Sequence, residues 1–171
     1  MIDGPGEAGP GIEEVSMDAV KVLVITGSES DLPKMQESQE MLYSLGIASL
    51  LTVASAHRSP QRVIETVRKA EAAGAEVIIA GAGMSAHLPG VVAAYTDLPV
   101  IGVPLESGMP GGIDALFSMV QMPTGVPVAT VAVGGARNAA VLAARILAIK
   151  YPEVAERLRA YRTTLAGEGQ A

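Results

Sequence analysis

Short runs of branched apolar residues alternate along this chain with segments of helical periodicity. The runs lie at 21–26, 48–53, 77–80, 99–103 and 126–133. Each is separated from the next by enough chain for a helix, which is the connection that parallel strands require. This alternation predicts an α/β domain in which one doubly wound parallel sheet lies between two layers of helices.

The separating segments are predicted to be helices because their apolar residues recur every three or four positions. Ser59 and Pro60 mark one helix start, with serine at the cap and proline at the first helical position. Gly46 and Gly74 mark helix ends. The predicted helices span 31–45, 60–74, 88–95, 113–121 and 138–150, and a last helix follows Pro152.

The length of 171 residues predicts one domain that is large enough to bury a full core. We place this single catalytic α/β domain at residues 19–171, with a helix at its C-terminal end. Residues 1–18 are acidic and rich in glycine and proline, so we expect them to form a disordered N-terminal extension. This extension lacks the basic and apolar regions of a signal peptide.

Composition narrows the class of protein further. Aromatic residues are only 3% of the chain although 49% of it is hydrophobic, so the core must consist of small aliphatic side chains, as under helices packed on a parallel sheet. A net charge of −6 without a basic stripe argues against nucleic-acid binding. No apolar run reaches the roughly 18 residues of a membrane span. The absence of cysteine excludes disulfides and thiol nucleophiles and fits a reducing compartment. We expect a soluble cytoplasmic protein.

One predicted helix is apolar nearly all round. Residues 138–149 contain mostly alanine, leucine, isoleucine and valine, and such a helix is usually buried on more than one side. We expect a second subunit to cover the additional side. Coverage by the C-terminal helix of the same chain is the alternative.

Three loops rich in small or polar residues directly follow strand-like runs. They are Gly27–Asp31, Ser55–Pro60 and Gly81–Leu88. In an open parallel sheet, such loops gather at the carboxyl ends of the strands, where ligands bind. The sequence therefore predicts one small-molecule site built from all three loops.

The first loop carries Ser28, Ser30 and Asp31 at the start of a predicted helix. Backbone N–H groups at a helix N-terminus attract phosphate, and serine hydroxyls add further donors. An acidic side chain in this position can instead accept hydrogen bonds from ribose hydroxyls. Serine and aspartate are also ordinary helix caps, and this loop by itself does not decide between the two readings.

The second loop carries Ser55, His57 and Arg58. A cation just before a helix N-terminus has no capping use, whereas an anionic ligand would explain Arg58 through bidentate phosphate contacts. Histidine suits proton transfer near neutral pH, which makes His57 the candidate acid and base. The alternative is a surface loop with two solvated side chains.

The third loop begins with Gly81, Ala82 and Gly83, whose small size allows the backbone to approach a flat ligand. His87 either binds substrate or satisfies neighbouring backbone groups. Two lone histidines with scattered carboxylates lack the spacing of a metal site, so we expect no metal. The chain also lacks a Gly-x-Ser-x-Gly elbow, a full Gly-x-Gly-x-x-Gly fingerprint and a Walker-type loop.

These loops, in this order, closely resemble the catalytic-subunit family of phosphoribosylaminoimidazole carboxylase. The resemblance covers roughly Val22 to Tyr161. Three motifs in register make it specific. The matching segments are Gly27–Asp31, Ser55–Pro60, Gly81–Gly83, Ala86–Gly90, Val120–Pro123, the strand at 127–132 and the helix from Asn138.

The resemblance implies a flavodoxin-like three-layer fold, a homo-octamer, and no metal or organic cofactor. It implies an enzyme of purine biosynthesis that moves a carboxylate from the exocyclic nitrogen of N5-carboxyaminoimidazole ribonucleotide to ring carbon C4. In such enzymes carbon dioxide is thought to be released and recaptured inside a closed pocket. The resemblance implies that His57 acts as acid and base. It implies that Ser28, Ser30 and Arg58 bind the phosphate and that Asp31 binds the ribose. The imidazole would then face the backbone around Gly81, Ala82, Gly83, Ala86 and Leu88. Ser55 and His87 complete the predicted substrate-binding set.

The chain differs from the usual family pattern at Met84, where a small residue is normal beside the base pocket. Arg58 and the stretch Ala86–Pro89 match the mutase branch rather than the branch that carboxylates aminoimidazole ribonucleotide directly with carbon dioxide. Direct carboxylation is the first alternative function. The others are a non-catalytic nucleotide-binding module and a carboxylase acting on another ribonucleotide.

Overall fold

The computed structural model describes residues 20–168. Five parallel strands form one sheet in the order β2-β1-β3-β4-β5. Six α-helices connect or follow them. The strands are β1 Val22–Thr26, β2 Ser49–Val53, β3 Val77–Gly83, β4 Val100–Leu105 and β5 Ala129–Thr130. The helices are α1 Leu32–Ser44, α2 Pro60–Ala72, α3 Leu88–Ala93, α4 Ile113–Val120, α5 Ala136–Leu147 and α6 Pro152–Glu168.

The helices bury both faces of the sheet. One apolar core lies between the sheet and α1, α5 and α6, and a second lies between the sheet and α2, α3 and α4. The side chains of β1 and the first half of β3 are completely buried, as expected for central parallel strands. The predicted three-layer, flavodoxin-like doubly wound sheet is confirmed.

Strand register positions the three loops. Thr26 at the end of β1 pairs with Val53 on β2 and with Gly81 on β3, so the loops that follow these strands leave the sheet at nearly the same level. The chain also reverses its direction of winding here, because β2 lies on one side of β1 and β3 lies on the other. A crevice at this switch point is the usual ligand site of an open α/β sheet.

Two strand predictions differ most from the structure in length. The strand predicted at 126–133 pairs with β4 only through Ala129 and Thr130, because it lies at the edge of the sheet and Pro127 has no N–H to donate. The strand predicted to end at Ala80 continues to Gly83, which pairs with Leu105. Residues 81–83 resemble a loop in composition, but hydrogen-bonded pairing with β4 holds them in the sheet.

Helix α5 packs its alanines against α1 and the sheet, and Ala139, Ala140, Ala143 and Ala144 are fully buried. Helix α6 contacts α5 on another side. The C-terminal helix therefore covers part of the apolar surface for which the sequence suggested a second subunit. Ile149, just after α5, is 89% exposed.

Candidate active site

A cavity of about 540 Å³ opens beside the carboxyl ends of β1, β2 and β3. The structure brings every predicted site residue to this cavity except Gly81. Those that line it are Ser28, Ser30, Asp31, Ser55, His57, Arg58, Ala82, Gly83, Ala86, His87 and Leu88. Four separate segments of chain thus meet at one opening, since Ser107 from the loop after β4 lines it as well.

Gly81 lies behind the cavity wall. Its carbonyl accepts a hydrogen bond from Thr26 Oγ1 at 3.1 Å, and a Cβ added to it would lie 2.3 Å from Met35 Sδ. The residue is therefore small because α1 packs against β3 at this point. Composition could not distinguish this packing role from close approach to a ligand.

The first loop forms a single 3₁₀ turn, Glu29–Asp31, before α1 begins. Ser28 caps this turn, since its side chain accepts from Ser30 N at 3.4 Å, and the two serine hydroxyls lie 2.9 Å apart. Ser28 therefore has the capping role that the sequence suggested and also lines the cavity. Both hydroxyls retain lone pairs and can reorient toward a ligand.

Asp31 is the half-buried carboxylate of the cavity. Burial raises its pKa above the ordinary value, and hydrogen bonds from Thr26 and Ser30 partly oppose this rise. In the described part of the chain no lysine or arginine forms an ion pair with it. A carboxylate in this situation is well suited to accept hydrogen bonds from sugar hydroxyls.

Arg58 joins the first two loops. Its Nη2 donates to the carbonyl of Gly27 at 3.2 Å, and Ser55 Oγ lies 3.4 Å from its Nε. Ser55 Oγ also accepts from the backbone N–H of Arg58 at 3.2 Å. These contacts hold the guanidinium at the cavity, and no carboxylate within residues 20–168 neutralises its charge. The cavity therefore has a fixed cationic wall.

Ser59 precedes α2 as predicted, and the helix begins at Pro60. Its side chain does not cap the helix, which corrects the sequence prediction. Ser59 Oγ donates instead to the carbonyl of Ser55 at 3.3 Å, and this bond tightens the loop that carries His57 and Arg58.

The two histidines of the chain are hydrogen-bonded to each other. His57 Nε2 lies 2.8 Å from His87 Nδ1, and the rings meet edge to face with centroids 5.0 Å apart. One nitrogen of this pair must carry the proton and the other must accept it, so both rings cannot be doubly protonated in this arrangement. Sequence reasoning left the role of His87 open and missed this pairing, because thirty residues separate the two histidines.

The third loop packs tightly against the loop after β4. A Cβ on Gly83 would lie 1.7 Å from Ser107 Oγ, so glycine is required here by a neighbouring loop. Ser107 and Met84 both line the cavity and were not among the predicted site residues. Ser107 lies two residues after the end of β4, so the rule that placed the other loops at the carboxyl ends of strands could have found it.

A second, mainly apolar cavity of about 430 Å³ adjoins the histidine pair. It shares Ala56, His57 and His87 with the first cavity and is otherwise lined by Gly90, Val91, Ala94, Tyr95, Ser118 and Met122. Helix α4, which contributes Ser118 to this cavity, also carries Ile113, Phe117 and Val120, which are 44%, 56% and 49% exposed. Their i, i+4, i+7 spacing makes one apolar stripe on the helix.

Within residues 20–168, no three histidine, aspartate or glutamate side chains come together as a metal-binding group would require. None of the helices of this region is long and apolar enough to cross a membrane.

Comparisons with known proteins identify the family of this chain. The family model for AIR carboxylase matches residues 21–168. The chain is 56% identical to an N5-carboxyaminoimidazole ribonucleotide mutase of Pyrococcus horikoshii, over 86% of this chain and 84% of the relative. It is 54% identical to the enzyme of that name from Thermotoga maritima, over 86% of each. Among solved structures, Treponema denticola PurE matches with a TM-score of 0.79 and 30% identity, over 86% of this chain and 92% of that one. The chain therefore belongs to the AIR carboxylase family.

Proposed function

We propose that this protein is an N5-carboxyaminoimidazole ribonucleotide mutase of de novo purine biosynthesis. The observation that carries the proposal is the placement of His57 beside Arg58 at the mouth of the cavity, where an acid/base adjoins a cationic wall. The names of the relatives at 56% and 54% identity support the same activity. A module that only bound nucleotides would have no use for a titratable pair beside the anion site.

The cavity provides chemically distinct regions for the parts of a ribonucleotide. Arg58, Ser28 and Ser30 supply a cation and hydroxyl donors for the phosphate. Asp31 accepts from the ribose hydroxyls, and Ser55 holds Arg58 in place. The imidazole then lies against the segments of Ala82, Gly83, Ala86 and Leu88, whose small side chains or backbone leave room for a flat ring, with His87 supporting His57.

The reaction is an isomerisation, so atoms and protons balance without a cofactor. The bond between the exocyclic nitrogen and the carboxylate breaks as His57 delivers a proton to that nitrogen, which releases carbon dioxide and leaves an amine. Ring carbon C4, activated by the amine, attacks the carbon dioxide and forms the new carbon–carbon bond. His57 then takes the proton that C4 loses and returns to its starting state. We propose no metal in any step.

We propose that the active form is a cytoplasmic homo-octamer with each site close to a subunit boundary. The apolar stripe Ile113, Phe117 and Val120 and the apolar cavity beside the histidines support this, because exposed apolar surface of this kind commonly marks an association site. Closed symmetric assembly is the usual way to bury such a surface. A neighbouring subunit there would also help to keep water from the reacting carbon dioxide.

The decisive experiment compares two substrates with purified protein. We expect rapid conversion of N5-carboxyaminoimidazole ribonucleotide without added bicarbonate, and little carboxylation of aminoimidazole ribonucleotide at moderate bicarbonate. The reverse pattern would identify a direct carboxylase. Binding of both compounds with turnover of neither would identify a nucleotide-binding module.

A further inference from the structure

Met84 adopts a backbone conformation that suits glycine. Its φ of +53° is the only positive φ of a non-glycine residue within residues 20–168. In this region the Cβ of an L-residue crowds the following carbonyl oxygen, whereas glycine is free of that cost. Methionine at this position therefore costs backbone energy that glycine would not cost. Strain of this kind is characteristic of functional sites.

The side chain of Met84 lies at the rim of the main cavity and is 59% exposed. A Cβ placed on Gly108 would lie 3.2 Å from Met84 Cγ, so the methionine packs directly against that glycine. On the neighbouring strand end, Ser107 packs over Gly83 in the reciprocal way. The two loops therefore interlock, with a larger side chain of each set against a glycine of the other.

We name residues 106–112 the rim loop, because Ser107 lines the cavity and the loop connects β4 to α4. Two hydrogen bonds to acidic side chains hold it. Met109 N donates to Asp114 Oδ2 at 3.1 Å, and Gly111 N donates to Glu106 Oε1 at 3.0 Å. Gly111 and Gly112 have φ values of +74° and +63°, which give the loop two points of easy rotation.

A second observation concerns the contact between the rim loop and the start of α4. Asp114 Oδ1 is buried without a hydrogen-bond partner among the residues described. A buried carboxylate oxygen normally has a donor, and the other oxygen of this carboxylate accepts from Met109 N of the rim loop at 3.1 Å. The hydrogen bonding between the rim loop and Asp114 is therefore incomplete, and packing such as that of Met84 on Gly108 must help to hold the loop.

We propose that Met84 is a positioning residue that attaches the rim loop to the cavity and thereby restrains the exchange of water and carbon dioxide with solvent. This inference rests on the proposed function. A methionine suits the task because its flexible, polarizable side chain keeps apolar contact while a loop shifts. The contact retains the reactive gas, and neither the phosphate wall nor the histidine pair takes part in it.

The first test requires no substrate. We would measure hydrogen exchange of the rim-loop amides in the wild type and in the Met84→Gly, Met84→Ala and Met84→Leu variants. Glycine removes both strain and contact, alanine removes only the contact, and leucine retains an apolar chain of similar size. We expect the glycine and alanine variants to exchange several-fold faster in the rim loop and the leucine variant to match the wild type. Unchanged exchange in the glycine variant would overturn the proposal.

The second test measures how much carbon dioxide exchanges with solvent during turnover. Turnover of unlabelled N5-carboxyaminoimidazole ribonucleotide proceeds in ¹³C-bicarbonate, with carbonic anhydrase present to equilibrate bicarbonate and carbon dioxide. We expect Met84→Gly to raise the labelled fraction of the carboxylated product several-fold, and Met84→Leu to restore the wild-type fraction. An equal labelled fraction in all variants would contradict the role in gas retention. If neither the wild type nor any variant turned over the substrate, the proposed function would fail. The hydrogen-exchange measurement would still decide whether Met84 holds the rim loop.

Discussion

His57 Nε2 and His87 Nδ1 lie 2.8 Å apart at the mouth of the cavity, joined by a hydrogen bond between two loops that follow different strands. This bond fixes which nitrogen of His57 faces its partner and leaves Nδ1 of that ring for other contacts. It also offers a second ring to share positive charge when His57 takes up a proton. His57 is thus the proposed catalytic residue, and His87 is a positioning residue for it.

Replacement of His57 tests the acid/base assignment. We expect His57→Asn to lower kcat by about 10²–10⁴-fold, the usual contribution of general acid–base catalysis, because asparagine cannot hold the transferred proton. Substrate affinity measured by calorimetry should remain close to that of the wild type. A near wild-type rate in this variant would transfer the catalytic role to His87.

Replacement of His87 tests the pair. We expect His87→Phe to lower kcat by roughly 10- to 100-fold with a smaller change in KM, since a hydrogen bond to a charged group is worth about 1.5–3 kcal/mol. His87→Gln can still present a side-chain donor or acceptor to His57 and should recover part of the loss. If the two variants had equal rates, the hydrogen bond would have no part in catalysis.

The cationic wall is tested by binding. Arg58→Ala should weaken binding of the ribonucleotide by about 1.5–3 kcal/mol, the usual cost of losing a charge-assisted contact. Arg62→Ala is the matched control, because Arg62 is an exposed arginine in the first turn of α2 that does not line the cavity. Calorimetry that found equal losses for both variants would show only a general charge effect.

Asp31 should make stability depend on pH. Its carboxyl has a pKa raised chiefly by burial, so the folded protein holds this proton more tightly than the unfolded chain does. The contribution of Asp31 to stability therefore falls as pH rises from the ordinary value of 3.8 through the raised pKa. We expect Asp31→Asn to be more stable than the wild type at pH 7 in urea unfolding, and this advantage to disappear below pH 3.8. The same variant should bind the ribonucleotide more weakly. An advantage that persisted at acid pH would contradict the electrostatic explanation.

The oligomer is tested on two surfaces. We expect Phe117→Glu to dissociate the assembly, because it puts a charge in the middle of the apolar stripe of α4. Ile149→Glu, at the end of α5, is the comparison and should leave the assembly intact. Light scattering measures both. Dissociation by Ile149→Glu alone would instead place the subunit boundary at α5.

The order of elements and the loops that face the ligand were encoded locally and could be predicted. Branched apolar runs and helical spacing are properties of short segments, and the rule that parallel strands end at one edge then placed Ser28, His57 and His87 together. The ends of strands were less predictable where hydrogen bonding to a neighbouring strand determined them. Gly81–Gly83 lack the branched side chains of a strand, yet pairing with β4 keeps them in one. Gly81 lies outside the cavity because Met35 of α1 packs on it.

The sequence by itself determined the three-layer sheet and the candidate residues at its edge, because periodicity and residue chemistry act within a few positions of the chain. Only the tertiary structure decided which of those residues touch. The bond between His57 and His87, the contact of Arg58 with Gly27 and the packing of Met84 on Gly108 each join segments far apart in sequence. Such contacts depend on strand order, register and loop path together, and no local pattern encodes them.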